Sequence, residues 1–505
     1  MMIDSWKSTT PKTWHIVVIV CLGAVVRLIY GLQTMAWLAS PDQLAWGIAI
    51  DEMMGSGHIS YQQLIHYPHE GGSILLSLMA ICLRPFATWV PPLSLAALLL
   101  QSISIFIQIM VCKKLFGGIS TWWFAIWTVF AVPILIPWGT VNFGLHSLAA
   151  FWPFVSMYVL FKPATGLRRS WLAAIVCGFA VWFSYDNLIL IPACIFGLAI
   201  GPCNLRNKLS SVVIFICILS VILGLHLFIR HSLDSGFQLK EMKIFSIRGA
   251  TDSWKLNPAS LRNIFPFWHS IIPDALQLSF PCFVSHHLAR IAVCLLLSLS
   301  IIMAYLRNFR TRRPIILALA IIGMFGVSFV ISPFYFDPTD KMTYVIYRHL
   351  PYIIPLFLCV VLHGMLIQRK PLPIVTIAFI AVCTISSMKN INHTERKNNE
   401  AYMAAGWILV SKFGSNKEKL QNLVNYVPIE GKNEVIKGYG WGLTSLILEN
   451  SSQKYGIKLS KLLHLLNQFP AEYKPLLVEG VHFAFQPGIT PILDKNLEEM
   501  VIDKM

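Results

Sequence analysis

The sequence predicts an all-α polytopic membrane protein, with about 11–12 membrane helices and a C-terminal soluble α-helical repeat domain. Three observations lead there. Of 505 residues 56% are apolar and only 13% charged, with a mean hydropathy of +0.63. Lys and Arg gather in short clusters between apolar runs, as topogenic signals do. After Met388 the composition changes: Asn, Lys and Glu become common and the apolar runs shorten. The chain therefore divides into a transmembrane domain, 1–388, with outer loops 32–72 and 230–286, and an extracytoplasmic soluble domain, 389–505.

The net charge of +16 does not point to nucleic acid, because the basic residues form no continuous patch. Membrane lipids, or a phosphate-bearing lipid substrate, fit the excess better. Nine of the eleven cysteines lie inside apolar segments at spacings that match neither a zinc site nor a disulfide framework, so they read as small packing residues.

The first apolar run, Trp14 to Tyr30, follows Lys7 and Lys12 and lacks a small-residue cleavage site, so it reads as an uncleaved first helix with a cytoplasmic N-terminus. Further spans are expected at 73–90, 92–112, 121–138, 143–162, 171–184, 188–201, 210–229, 287–306, 314–334, 348–368 and 371–388. The clusters at Lys113–Lys114, Lys162 with Arg168–Arg169, Arg206 with Lys208, Arg307–Arg313 and Arg369–Lys370 are assigned to the cytoplasm. An outer 32–72 loop and an inner Lys113 require an odd number of crossings between them. Arg84, Pro85, Pro91 and Pro92 break the first of the two apolar stretches there, which is read as short, tilted or re-entrant. Tyr185, Asp186 and Asn187 interrupt 171–201, so two short helices are expected to meet at an outer turn near the surface.

With that topology, eleven of the twelve acidic residues before residue 389 fall outside, all but Asp4. Acids contribute little to orientation, so the segregation places the chemistry on the outer face. The 32–72 loop holds Asp42, Asp51, Glu52, His58, His66, His69 and Glu70, a concentration that suits a cation, a proton or a sugar. His66 and His69 have metal-ligand spacing, but Pro68 between them spoils a regular helix. Arg348–His349, with Lys341, stands at the outer mouth of span 348–368, where a guanidinium fork could take two phosphate oxygens. The 230–286 loop interleaves Phe237, Trp254, Phe265, Phe267 and Trp268 with polar residues, as helices lying in the membrane interface do.

The tail carries a 42-residue repeat. Residues 420–443 align without gaps on 462–485, with identities that include Leu420/Leu462, Asn425/Asn467, Pro428/Pro470 and Gly438/Gly480. Each unit reads as an apolar helix stopped near Asn-x-x-Pro, then a short helix ending at a Gly followed by an aromatic; stacked helical hairpins are the natural fold. Such units bind partners or polymers, and they hold no catalytic constellation.

Four features of 14–388 resemble the C-type glycosyltransferase superfamily, which includes protein O-mannosyltransferases and the aminoarabinose transferases of lipid A. They are a first helix with a late Arg27, an outer loop with an early Asp42 in SPDQLAW, the entry HYPHEGGSILLSL into the next element, and the late span start RHLP. The resemblance implies a polyprenyl-phosphate sugar as donor, a glycan, lipid or protein as acceptor, and Asp42 as general base. It implies also that Arg348, with Lys341 or Arg27, holds the lipid phosphate, in an integral multi-pass protein of a bacterial inner membrane. The family commonly shows Asp-Glu or Asp-Asp at the base position, whereas here it is Asp42-Gln43, and Asp51-Glu52 follows nine residues later. Asp51, Glu52, Asp186, His66, His69 and Glu70 are candidates to orient the acceptor or bind a divalent cation; no other cofactor is implied. A transporter or flippase of a lipid-linked glycan is the main alternative, against which stand the lack of internal symmetry in 14–388 and the placement of the acids in loops. A non-catalytic scaffold presenting the tail repeats is the third reading.

Overall fold

The computed structural model describes residues 10–34, 46–47, 50, 53–64, 70–86, 92–131, 145–161, 166–200, 205–233, 264, 267–268, 286–307, 311–331, 349–365, 402–403, 405–407, 409–410, 414–427, 429–449 and 455–484. Asp42, Asp51, Glu52, His66, His69, Lys341, Arg348 and span 371–388 lie outside them, as does most of loop 230–286. The described residues form helices and no strands.

In chain order the first part comprises α1 (Thr13–Thr34), α2 (Glu70–Leu83), α3 (Pro92–Leu115), α4 (Gly118–Ile126), α5 (Trp152–Phe161), α6 (Gly166–Phe183), α7 (Leu190–Ala199), α8 (Leu205–Leu233), α9 (His286–Arg307), α10 (Arg312–Ile331) and α11 (Ile354–Met365). Among the described residues two helical stretches, Pro92–Leu115 and Arg206–Arg230, are long and apolar enough to cross a membrane. Of their apolar windows 61% and 11% respectively is buried, which makes α3 a central helix and α8 a peripheral one. α8 turns Leu209, Val213, Val221, Leu225 and Phe228 outward, α1 does so with Trp14, Val18, Leu22 and Val25, and α9 with Leu295, Leu299 and Ile302. Apolar faces exposed on several helices at once are costly in water and match a lipid surround.

Polar clusters mark the two ends of this bundle. At one end Ser120 Oγ lies 3.0 Å from His363 Nδ1 and Thr311 Oγ1 lies 3.3 Å from His363 Nε2, while the Phe116 ring packs on the same imidazole. Thr10 belongs to that end too, since a Cβ on Gly118 would stand 3.3 Å from its backbone. Thr10, the segment after Lys113–Lys114 and Thr311 thus share one end. At the other end are Glu70, Leu145, Asp186, Arg230 and His349. His349 and His363 flank one continuous helical stretch, roughly 21 Å apart at 1.5 Å per residue. Glu70 and Phe116 are at opposite ends; α3, at about 36 Å, is long enough to run between them, whereas α2 spans only about 21 Å.

The tail has its own core, built on Tyr402, Leu409, Leu420, Leu423, Val435, Tyr439, Leu443, Leu462, Leu477 and Val481. Its helices are α12 (Lys417–Tyr426), α13 (Ile429–Glu449), α14 (Tyr455–Asn467) and α15 (Lys474–Ala484). The two repeat units are a helix, a break near the Asn-x-x-Pro, and a second helix. The second helices do not end at Gly438 and Gly480, however: α13 runs on to Glu449 and α15 to Ala484. Those glycines are points of close helix contact, because a Cβ would stand 1.7 Å from Met403 O at Gly438 and 1.8 Å from Lys437 O at Gly480. Segment 402–410, α13 and α15 therefore stack side by side, and Trp407, Trp441 and Phe483 line up across them with ring centroids 5.3 and 5.2 Å apart.

Candidate functional site

The turn that interrupts the apolar run 171–201 is built from Ser184 to Ile189. α6 ends at Phe183, Ser184 is extended, and Tyr185–Ile189 make a 3-10 turn that leads into α7. The backbone bond from Asn187 N to Ser184 O closes the turn, and Asn187 Nδ2 ties it back to Ala180 O at 2.7 Å. Tyr352, in the turn that opens α11, donates its hydroxyl to Asn187 Oδ1 at 2.9 Å. These bonds fix both elements around Asp186.

Asp186 was expected near the outer surface; the structure buries it, with 8% of the residue exposed. A carboxylate is tolerated there because polar groups surround it. His146 Nδ1 donates to Oδ2 at 2.5 Å, Ser184 Oγ donates to the same oxygen at 3.2 Å, and His349 Nδ1 stands 3.6 Å from Oδ1. The two imidazole rings are 3.9 Å apart, centre to centre, and both are buried. Tyr185 meets both edge-on. Three residues from distant stretches thus place one imidazole or carboxylate atom each within 4.8 Å of the others.

Leu145, directly before His146, has φ +64°. A buried leucine in the left-handed region is held against a local cost of about 1–3 kcal/mol, the kind of strain that collects where a neighbouring side chain must be aimed. The surroundings leave little slack: a Cβ on Gly72 would stand 2.7 Å from both Leu145 Cδ1 and Phe183 O.

Glu70 lies beyond this contact, as the first residue of α2. Tyr61 donates its hydroxyl to Oε1, while His226 Nε2 is 3.3 Å and Arg230 Nη1 3.5 Å from Oε2. That carboxylate joins Tyr61 to the end of α8. Arg27, the late arginine of α1, is 1% exposed; its guanidinium donates to the carbonyls of Gly23, Thr128 and Val129 at 3.2, 3.0 and 3.1 Å. The sequence reading brought out Asp186 and His349 separately and did not single out His146. A lone His in the apolar run GLHSL carries no distinguishing signal, and its partners are far along the chain.

No family model matches the sequence, and no curated protein matches it. Among solved structures the chain is similar to ArnT from Cupriavidus metallidurans bound to undecaprenyl phosphate, at 15% identity over 94% of this chain and 78% of that one, with a TM-score of 0.47. The same protein in the apo state gives 13% identity, 94% and 76% coverage, and a TM-score of 0.45. The Archaeoglobus fulgidus oligosaccharyltransferase in the apo form gives 11%, 99% and 69%, with a TM-score of 0.41.

Proposed function

We propose that the chain is a multi-pass membrane glycosyltransferase of the C type, moving a sugar from a polyprenyl-phosphate carrier to an acceptor on the extracytoplasmic face. The observation that carries this reading is the meeting of Asp186 with His349, the residue next to Arg348, in one buried polar cluster at the end of the bundle opposite Thr10. The acid of the turn between α6 and α7 and the turn that opens α11 thereby occupy one place. The outward apolar faces of α1, α8 and α9 support a membrane setting.

Transfer needs a base for the acceptor hydroxyl and cationic groups for the departing phosphate. In this scheme Asp42 takes the proton as the acceptor oxygen bonds to the anomeric carbon. The bond from that carbon to the phosphate oxygen breaks, and polyprenyl phosphate leaves. Arg27 keeps its guanidinium on backbone carbonyls, so the phosphate falls to Arg348 and Lys341. Asp51, Glu52 and Asp186 orient the acceptor or bind a divalent cation. The test is sugar transfer by purified Asp42→Asn from a polyprenyl-phosphate donor. Loss of a general base predicts a fall of about 100-fold or more, and a rate near wild type refutes the assignment.

A further inference from the structure

We propose that His146, Asp186 and His349 bind one divalent transition-metal ion of the zinc class, leaving a coordination position open to a phosphate oxygen. The metal site stands on the geometry of the three residues alone; the identity of the fourth ligand rests on the function proposed above.

Two imidazoles and one carboxylate are the donor set of open, three-ligand sites, and they favour zinc and its neighbours over magnesium and calcium, which take oxygen ligands. Bonds of roughly 2.0–2.2 Å in a tetrahedral arrangement put donor atoms about 3.3 Å apart. The three donor atoms, one per residue, lie within 4.8 Å of one another, so an ion draws the widest pair together by up to about 1.5 Å, while the His146 Nδ1 to Asp186 Oδ2 contact of 2.5 Å opens by under about 1 Å. The donors are oriented from outside, as ligands are. Ser184 holds the Asp186 carboxylate, the Asn187–Tyr352 bond locks the two turns that carry Asp186 and His349, and the left-handed Leu145 precedes His146. One dication and one carboxylate leave a net positive charge in a buried place, so an anionic oxygen is the ligand that completes the site.

The experiment uses the full-length chain purified without chelator. Elemental analysis is expected to find about one equivalent of metal per chain, and cobalt loading to give the visible bands of a four-coordinate site. Inorganic phosphate should shift those bands. His349→Gln and Asp186→Asn should each lower metal content by tenfold or more, on the scale of losing a ligand. The cobalt spectrum needs no variant, so misfolding of either substitution leaves the proposal testable. Absence of both bound metal and cobalt bands in the wild-type chain overturns the site, as does equal metal content in wild type and folded His349→Gln. Bands that do not respond to phosphate overturn the open position. A chain that takes up no metal yet transfers sugar sinks this inference and spares the function; a chain that binds metal and transfers none does the reverse.

Discussion

Replacing Glu70 by Leu removes the carboxylate that Tyr61, His226 and Arg230 share. Arg230 cannot shed its proton, so its charge loses this carboxylate in a site where the residue is only 8% exposed. Breaking a buried pair by removing one partner costs about 3–5 kcal/mol. His226, whose side chain is 22% exposed, can turn to solvent, which puts the expected loss at the lower end, about 3 kcal/mol. The double substitution Glu70→Leu/Arg230→Met removes both charges and is expected to recover all but about 1 kcal/mol, a coupling of at least about 2 kcal/mol. Unfolding of the full chain by titration with a denaturing detergent, monitored by tryptophan fluorescence, measures the four variants of the cycle. If Glu70→Leu and Arg230→Met add without coupling, the two side chains do not meet, and the placement of residues 70 and 230 at one end of the bundle is wrong.

The tail yields two further expectations. Gly480→Ala puts a Cβ about where Lys437 O lies and should destabilise the tail by about 3 kcal/mol, at the upper end for overpacking, whereas Gly414→Ala, with open space around it but φ +67°, should cost about 1 kcal/mol. Differential protection of tail amides in hydrogen exchange reads both; equal effects would contradict the close stacking of α13 and α15. The hydrogen bond to Glu479, opposed by partial burial and aided by Glu434, raises Lys437 above its usual 10.5. A raised basic group stabilises below its unfolded value and loses that contribution as pH rises through the folded one, so Lys437→Met should lower the melting temperature at pH 8 and the difference should close above about pH 10.5. A gap that widens instead contradicts the pairing.

The apolar runs made most helices legible, because a buried or lipid-facing helix must be apolar along its length, and Tyr185-Asp186-Asn187 marked the one turn in 171–201 where it is not. What could not be read was pairing at long range. Glu70 finds Arg230 160 residues on and His146 finds Asp186 40 residues on; no periodicity encodes either. The burial of Asp186 escaped the reading for the same reason, since the groups packed on it, His349 and His146, come from the turn before α11 and from the 145–147 turn. Gly438 and Gly480 were legible as a repeat but not as contacts, because a glycine that ends a helix and one that admits a neighbouring backbone look alike in sequence.

The most direct test of the account is the side of the membrane from which the proposed base and phosphate site are reached. Single cysteines at positions 42 and 341, in a chain otherwise free of cysteine, would be exposed to an impermeant maleimide in intact cells. The account predicts that both are labelled without permeabilisation. Labelling of residue 42 from one side and residue 341 from the other would contradict it.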